Sequence, residues 1–304
     1  MNSTPLVSII AVCYNQDKWV EQTLNSIKQQ TYANIQLIIA DDGSADRSKY
    51  IIQNWIKHSY PSAIFINHKQ NLGLTKNINT AIPFIEGEYY HLFGCDDIML
   101  PHKIEKQVQL MQENKNIGII YSDMFLIDSD NKLLNQSYFE KHVYKLPKSG
   151  WLYDDLIDRF IIAAPSVLIR RKVLDELDRY NESLDYEDHD FFLRASRKFE
   201  FLYIPDKTVK YRITGQSLST LKNNLKFFKN SFLIFYQNFD NNKLYKTRFI
   251  EKLIFYTKHL YSLKFKYGMI YFGKAFIKTH NIIFLKYSVA SLLFFAQRRK
   301  KRNE

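Results

Sequence analysis

Apolar runs of two kinds alternate along the first 122 residues. The short ones, LVSIIAVCY (6–14), IQLIIAD (35–41), AIFIN (63–67), EYYHLFG (88–94) and IGIIYSD (117–123), are rich in Ile, Val and aromatics and read as strands. Between them lie DKWVEQTLNSIKQQ, ADRSKYIIQNWIKH, GLTKNINTAIPFI and PHKIEKQVQLMQEN, which read as amphipathic helices. In the first of these, Trp19, Val20, Thr23, Leu24 and Ile27 recur at helical spacing while Glu21, Gln22 and Lys28 face outward. Strands apolar on both faces and joined by helices predict a Rossmann-like α/β fold, a mostly parallel sheet sandwiched by helices with right-handed crossovers. Such sheets bind ligands at the carboxyl ends of their strands, so the loops after residues 14, 41, 67 and 94 are where chemistry is expected.

From 124 to 212 the alternation breaks down. MFLIDSDNKLL reads as a hairpin around Asp130 and Asn131, GWLYDDLIDRF and RKVLDEL as helices, and SVLIR and FLYIPDKTVKYRI as strands. From about residue 221 turn signals thin out, and runs such as KLIFYTKHLYSLKFKYGMIYFGKAFIK read as helices. The expected division is an α/β domain over 1–220 and a C-terminal helical extension over 221–304.

Composition adds three bounds. With 46% hydrophobic residues the 304-residue chain fills a sizeable core. Cys13 and Cys95, the two cysteines, both fall inside strand-like runs, which excludes a disulfide framework or a cysteine zinc site and fits a reducing cytosol. MNSTPLVSIIAVCY lacks a basic leader and reads as a first strand rather than a secretory signal, so a cytoplasmic location is expected. The net charge of +12 is unevenly placed: residues 221–304 hold 18 Lys+Arg against 3 Asp+Glu, while residues 1–220 hold 25 against 28. An acidic-neutral body with a basic aromatic tail implies two parts with different partners.

Two strand ends carry paired acids. In DDGSAD (41–46) Gly43 permits a positive φ and Ser44 or Asp46 caps the next helix, but turn chemistry leaves the pair Asp41 and Asp42 unexplained. A carboxylate there suits the ring N–H of a pyrimidine base or ribose hydroxyls. In HLFGCDDIML, Asp96 and Asp97 follow a buried strand with no Lys or Arg between Tyr89 and Pro101. Either Asp97 caps a helix beginning near Pro101, or the pair holds a hard divalent ion, Mg²⁺ or Mn²⁺, together with substrate phosphates.

VSIIAVCYNQ, SIKQQTYANIQLIIADDGSAD, NLGLTKNINTAI, GCDDIMLP, APSVLIRRKVL, YEDHDFFLRAS and YRITGQSLS, in that order, resemble the GT-A-fold, inverting family 2 glycosyltransferases over roughly residues 5–220. The resemblance implies that Tyr14 stacks near a nucleotide base, Asp42 accepts a hydrogen bond from it and Lys76 lies near the nucleotide. It places Asp96 at the ribose or metal and Asp97 on a metal bridging the diphosphate of a nucleotide-sugar donor. Asp188 matches the family's catalytic base, with Glu187 supporting it, and Arg212 is either a phosphate contact or a structural salt bridge. The acceptor implied is a hydroxyl of a glycan or lipid-linked molecule in cell-surface polysaccharide synthesis. Two positions depart from the family's pattern: Gly94 stands where many relatives begin a D-x-D triplet, and Thr214 where many have His. Metal binding is therefore argued from Asp96 and Asp97 alone.

The basic tail has three readings: docking on an anionic membrane surface, plain helical packing or oligomerisation, and nucleic-acid binding. NIIFLKYSVASLLFFAQRRKKR, its apolar stretch broken by Lys286, suits an interfacial anchor better than a bilayer span. Rival functions for the whole chain are an inactive sugar-nucleotide binder, motivated by Gly94 and Thr214, and a nucleic-acid-binding protein, against which the acidic body argues. No nucleic-acid partner is expected.

Overall fold

Val7–Cys13 (β1) is a strand with both faces buried, and every neighbouring feature of the candidate site is built outward from it. In the computed structural model, which describes residues 4–142, 147–158, 162, 164–214 and 225–303, β1 pairs in parallel with β2 (Ile35–Asp41) on one side and β4 (Tyr89–Gly94) on the other. β3 (Ile64–Asn67) extends the sheet beyond β2. Val7, Ile9, Ile10 and Ala11 are inaccessible to solvent, and each Val or Ile so buried contributes roughly 1.5–3 kcal/mol. The connecting helices are α1 (Val20–Lys28), α2 (Ser48–Ser59) and α3 (Leu74–Ala81), the last packed on β1 and β2.

The second half adds β5 (Ile98–Met99), α4 (Lys103–Glu113), β6 (Ile117–Ile127), β7 (Leu133–Ser137), α5 (Tyr138–His142), α6 (Tyr153–Asp158), β8 (Leu168–Arg170), α7 (Arg171–Leu177), α8 (Asp188–Ala195) and β9 (Glu200–Arg212). The sheet order is β3-β2-β1-β4-β8-β6-β9-β5, with β7 paired to β6. Strands β1 to β4, β6 and β9 run one way, and β5, β7 and β8 run against them. The mostly parallel α/β sheet expected from sequence is present. The insertion of antiparallel β8 between β4 and β6 was not expected, because a three-residue strand carries too little pattern to announce its partner.

The expected hairpin at Asp130 and Asn131 is the β6–β7 turn, where Asn131 has φ +69° and Asp128 Oδ1 accepts from the backbone N–H groups of Asp130 and Lys132. The GQSLS end of YRITGQSLS and the end of GWLYDDLIDRF lie outside the described residues.

The chain divides into two compact units, Met1–Gly215 and Gln216–Glu304. The second consists of α9 (Leu225–Gln237), α10 (Lys243–Ser262), α11 (Gly268–Thr279) and α12 (Ile282–Asn303). Its interior is aromatic: Phe232, Phe235, Phe249, Phe272 and Phe284 are buried together with Leu253 and Leu260. No helix among the described residues is long and apolar enough to cross a membrane.

Candidate active site

The parallel register carries three strand ends to one line. Cys13 stands opposite Asp41, Asp41 opposite Asn67, and Val12 opposite Gly94. The ladder runs one step further on each side, the N–H of Asp42 donating to the carbonyl of Cys13 (2.9 Å) and that of Cys95 to the carbonyl of Val12 (2.9 Å). Asp42 and the Cys95-Asp96-Asp97 segment thus flank the end of β1, where Tyr14 is 47% exposed. The loop after β1 is laced to the DDGSAD loop: the N–H of Asn15 donates to Ser44 Oγ, Asn15 Oδ1 accepts from the N–H of Ala45, and the N–H of Gln16 donates to Ser48 Oγ.

The two acids of the DDGS turn have different jobs. Asp41 accepts from the N–H and Oγ of Ser44 and closes its own turn. Asp42 accepts from the N–H groups of Leu72 (2.7 Å) and Gly73 (3.0 Å), so both of its oxygens hold the loop that starts α3. Gly43 sits at φ +71°, and a Cβ there would stand 2.5 Å from the backbone of Gln70. That close approach, as well as the dihedral, requires glycine.

From that loop α3 reaches across to the opposite acids. Thr75 Oγ1 donates to the carbonyl of Leu184, Asn79 Nδ2 donates to the carbonyl of Tyr180, and Asn79 Oδ1 accepts from the N–H of Tyr180. Residues 180–184 lead directly into Glu187 and Asp188 at the start of α8, so Asp42 and Asp188 are tied through one helix. Lys76, on the same helix, is exposed, and its ammonium has no hydrogen bond or ion pair among the described residues.

Asp96 and Asp97 are held differently. Asp97, 2% exposed, accepts from the N–H of Arg212 (2.8 Å). Burial pushes its carboxyl well up, the Asp96 charge adds to the rise, and the Arg212 backbone bond and guanidinium oppose it. Burial also raises Asp96, against Arg212 and a side-chain hydrogen bond from Gln16. A Cβ at Gly94 would lie 2.7 Å from Asp96 Oδ1, the free end of a side chain that would have to turn aside for it.

Arg212, 1% exposed, spends its guanidinium on protein acceptors: Nε on the carbonyl of Asp96, Nη1 on those of Asp128 and Ser129, and Nη2 on Gln22 Oε1 and Asn131 Oδ1. It also stacks 5.2 Å over the Trp19 ring, while Trp19 Nε1 donates to the carbonyl of Ser129. All five donors are engaged. The residue fastens the β6–β7 turn to α1 and the Asp96 segment; a phosphate would have to displace one of those acceptors, and among the described residues its guanidinium makes no salt bridge to a carboxylate.

Glu187 and Asp188 stand at the N-terminus of α8, with Phe191, Phe192 and Leu193 buried behind them and Tyr180 stacked on Phe191 at 4.4 Å. Asp188 Oδ1 accepts from the N–H of His189. Burial pushes the Asp188 carboxyl up to about 6 and, with the Asp188 charge added, that of Glu187 up to about 8. The two titrate as a pair.

The profile described as "Glycosyl transferase family 2" matches residues 8–178 of the chain. This chain belongs to glycosyl transferase family 2. It is 28% identical over 262 residues to an uncharacterized glycosyltransferase of Methanocaldococcus jannaschii, covering 85% of this chain and 87% of that one. It is 30% identical over 128 residues to the putative glycosyltransferase EpsE of Bacillus subtilis, covering 42% and 46%. Among solved structures, S. aureus TarS 1–349 in complex with UDP-GlcNAc superposes with a TM-score of 0.66 at 17% identity over 94% of this chain and 88% of that one. A mannosyltransferase of Pyrobaculum calidifontis in complex with GDP-Man and Mn²⁺ superposes with a TM-score of 0.61 at 12% identity over 98% and 87%. Both likenesses establish the GT-A type fold.

Many enzymes of GT-A type use a divalent ion, and the residues here fit one as a partial set. Among the described residues no group of three or more His, Cys, Asp or Glu side chains is arranged to hold a metal. Asp96 and Asp97 supply two carboxylates, and Gln16 Oε1 is buried without a partner. An orphaned carbonyl oxygen on the side chain that bonds Asp96 is a hard donor suited to a cation or a hydroxyl. Thr75, Asn79 and Gln16 were missed in sequence. The usable signal was polar residues on the inward side of a helix, Thr75 and Asn79 at i,i+4 in NLGLTKNINTAI.

Proposed function

We propose that the protein transfers a sugar from a nucleotide-diphosphate donor of the UDP-sugar class to a hydroxyl of a glycan or lipid-linked acceptor, with inversion at the anomeric carbon. The observation that carries this reading is the convergence, on the end of β1, of exposed Tyr14, Asp42, buried Asp97 and half-buried Asp96, the last two making no salt bridge among the described residues. Tyr14 offers a ring for a base to stack on, and Asp42, already fixing the α3 loop, retains lone pairs toward the base. The UDP complex of TarS supports the choice of nucleotide. Lys76 has a free ammonium within reach of solvent beside that loop.

Asp96 and Asp97, with Gln16 Oε1, would hold Mg²⁺ or Mn²⁺ with the donor diphosphate. When bound, the ion supplies Lewis-acid stabilisation of charge on the leaving oxygens. Asp188 acts as general base on the acceptor hydroxyl; burial places its proton affinity near neutral pH, where a base is most effective. Glu187, pushed higher, stays protonated longer and spares Asp188 a second adjacent charge. One base and no protein nucleophile give a single displacement, hence inversion.

The reaction is assigned to cell-surface polysaccharide synthesis, of the capsule or lipopolysaccharide kind, in the cytoplasm at the inner face of the cell membrane. The test is release of free UDP from a panel of UDP-sugars with Mn²⁺, wild type against Asp97→Asn. Release from none of the UDP-sugars, with release from a GDP- or dTDP-sugar, would overturn the donor class.

A further inference from the structure

The hairpin α11–α12 is closely packed on one side and bare on the other. The chain turns at His280, in the left-handed region with φ +56°, and Ser288 Oγ donates to the carbonyl of Met269. Small residues let the helices meet: a Cβ at Gly268 would come 2.9 Å from Ser291 Oγ, and one at Gly273 3.4 Å from Ser288 Oγ. With Phe284, Ser288 and Ser291 turned inward, another arc of α12 presents Ile282, Leu285, Val289, Leu292 and Leu293, between 36% and 56% exposed. Their spacing of i, i+3, i+7, i+10 and i+11 makes one continuous stripe. On α11, Ile270 and Ile277 face away from buried Phe272, Ala275 and Thr279 and are 49% and 70% exposed.

Single exposed apolar residues need no explanation, but a helical-period stripe of large aliphatic ones does. Charge decides what covers it. Residues 221–304 carry 18 Lys+Arg against 3 Asp+Glu, Lys286 is exposed on the flank of the stripe, Lys274 lies between Ile270 and Ile277, and the sequence of α12 ends in RRKKR. A second copy would bring two strongly basic surfaces together, which like-charge repulsion disfavours. Nucleic acid would be met by aliphatic side chains where base stacking calls for aromatic ones. A surface of anionic lipid takes both features at once, accepting aliphatic side chains at the acyl boundary and cations at the headgroups.

We propose that the α11–α12 hairpin lies in the plane of an anionic lipid surface, with Ile282, Leu285, Val289, Leu292 and Leu293 inserted and Lys274 and Lys286 at the headgroups. This surface is independent of the transfer chemistry, so either can fail alone. The experiment is co-sedimentation of the full chain with vesicles of phosphatidylglycerol and phosphatidylcholine, or of phosphatidylcholine alone. Wild type is expected to pellet with the anionic vesicles and to be released at about 0.5 M NaCl, where charge attraction is screened within a few Å. The variant Leu285→Gln, Val289→Gln, Leu292→Gln, Leu293→Gln is expected to lose about tenfold or more in partitioning while keeping its helical circular dichroism, since the replaced side chains are exposed. A second variant, with residues 298–302 all changed to Gln, should lose affinity for anionic vesicles and leave the weak binding to phosphatidylcholine unchanged. Equal pelleting of wild type and the stripe variant overturns the proposal. So does a lipid-free dimer of wild type that the stripe variant converts to monomer, with no vesicle binding by either.

Discussion

Asp96–Asp97 and Glu187–Asp188 are the same feature in sequence, two adjacent acids after or before a buried element, and the structure holds them differently although burial raises both. The first pair is clamped: the N–H of Arg212 is on Asp97, its Nε is on the carbonyl of Asp96, and its guanidinium lies close enough to lower both carboxyls against their burial. The second pair opens a helix and is supported by backbone N–H groups there, so burial moves it up with no cation among the described residues to oppose it. In the clamped pair the Arg212 guanidinium opposes the rise that burial imposes and fixes the geometry of the two carboxyls. A pair left to burial is prepared to exchange a proton near neutral pH.

The comparison breaks if the two pairs prove interchangeable. Asp188→Asn removes the proton acceptor and little else, because the amide oxygen still accepts from His189. Turnover is expected to fall about 10²-fold or more with donor affinity unchanged, read by single-turnover kinetics and by calorimetry with UDP and Mn²⁺. Loss of donor affinity instead would move Asp188 to the binding side. Asp97→Asn should do the reverse: affinity for UDP with Mn²⁺ drops at least about tenfold, the scale that even outer-shell partners of a metal carry, while affinity without metal changes little. An unchanged affinity with Mn²⁺ would leave Asp97 a cap.

The strands and helices of the first 122 residues were legible because a parallel sheet buried on both faces writes itself as runs of Ile, Val and Leu. β2 and α7 fall where their residues predicted. What sequence hid was long-range satisfaction of polar groups. Arg212 reads as a phosphate ligand or a salt bridge, yet its partners are mostly carbonyl oxygens, on Asp96, Asp128 and Ser129, which no side-chain pattern reveals. Gly94 reads as a missing acid, and in the structure the Asp96 carboxylate reaches back to within 2.7 Å of where its Cβ would stand. The acids are visible in the sequence as adjacent pairs; the helix connecting Asp42 to the Asp188 loop is not, because the bonds from Thr75 and Asn79 span 109 and 101 residues.

That connecting helix gives a smaller test of the same comparison. Asn79→Ala strips two hydrogen bonds from Tyr180 and leaves the Asp96–Asp97 side untouched. Turnover is expected to fall about tenfold, as loss of positioning does, with the metal-dependent affinity for UDP retained. A parallel loss in both would show that α3 is plain scaffold.

The smallest effect is on stability. Carboxyls raised by folding contribute stability that is complete below their unfolded values, near 4, and is lost as pH rises through about 6 and about 8. Between pH 5 and pH 8.5 the wild type should therefore lose a few degrees of Tm relative to the double variant Glu187→Gln, Asp188→Asn, whose amides do not titrate. Turnover runs the other way over the same interval, rising with pH as Asp188 gives up its proton, so the base is most active where the fold tolerates it least. The same scan on Asp97→Asn should reduce the Tm slope without abolishing it, because burial raises Asp97 as well and the Glu187–Asp188 contribution remains. If instead the slope vanishes there, the Glu187–Asp188 pair contributes none of it, and the assignment of proton exchange to that pair is wrong.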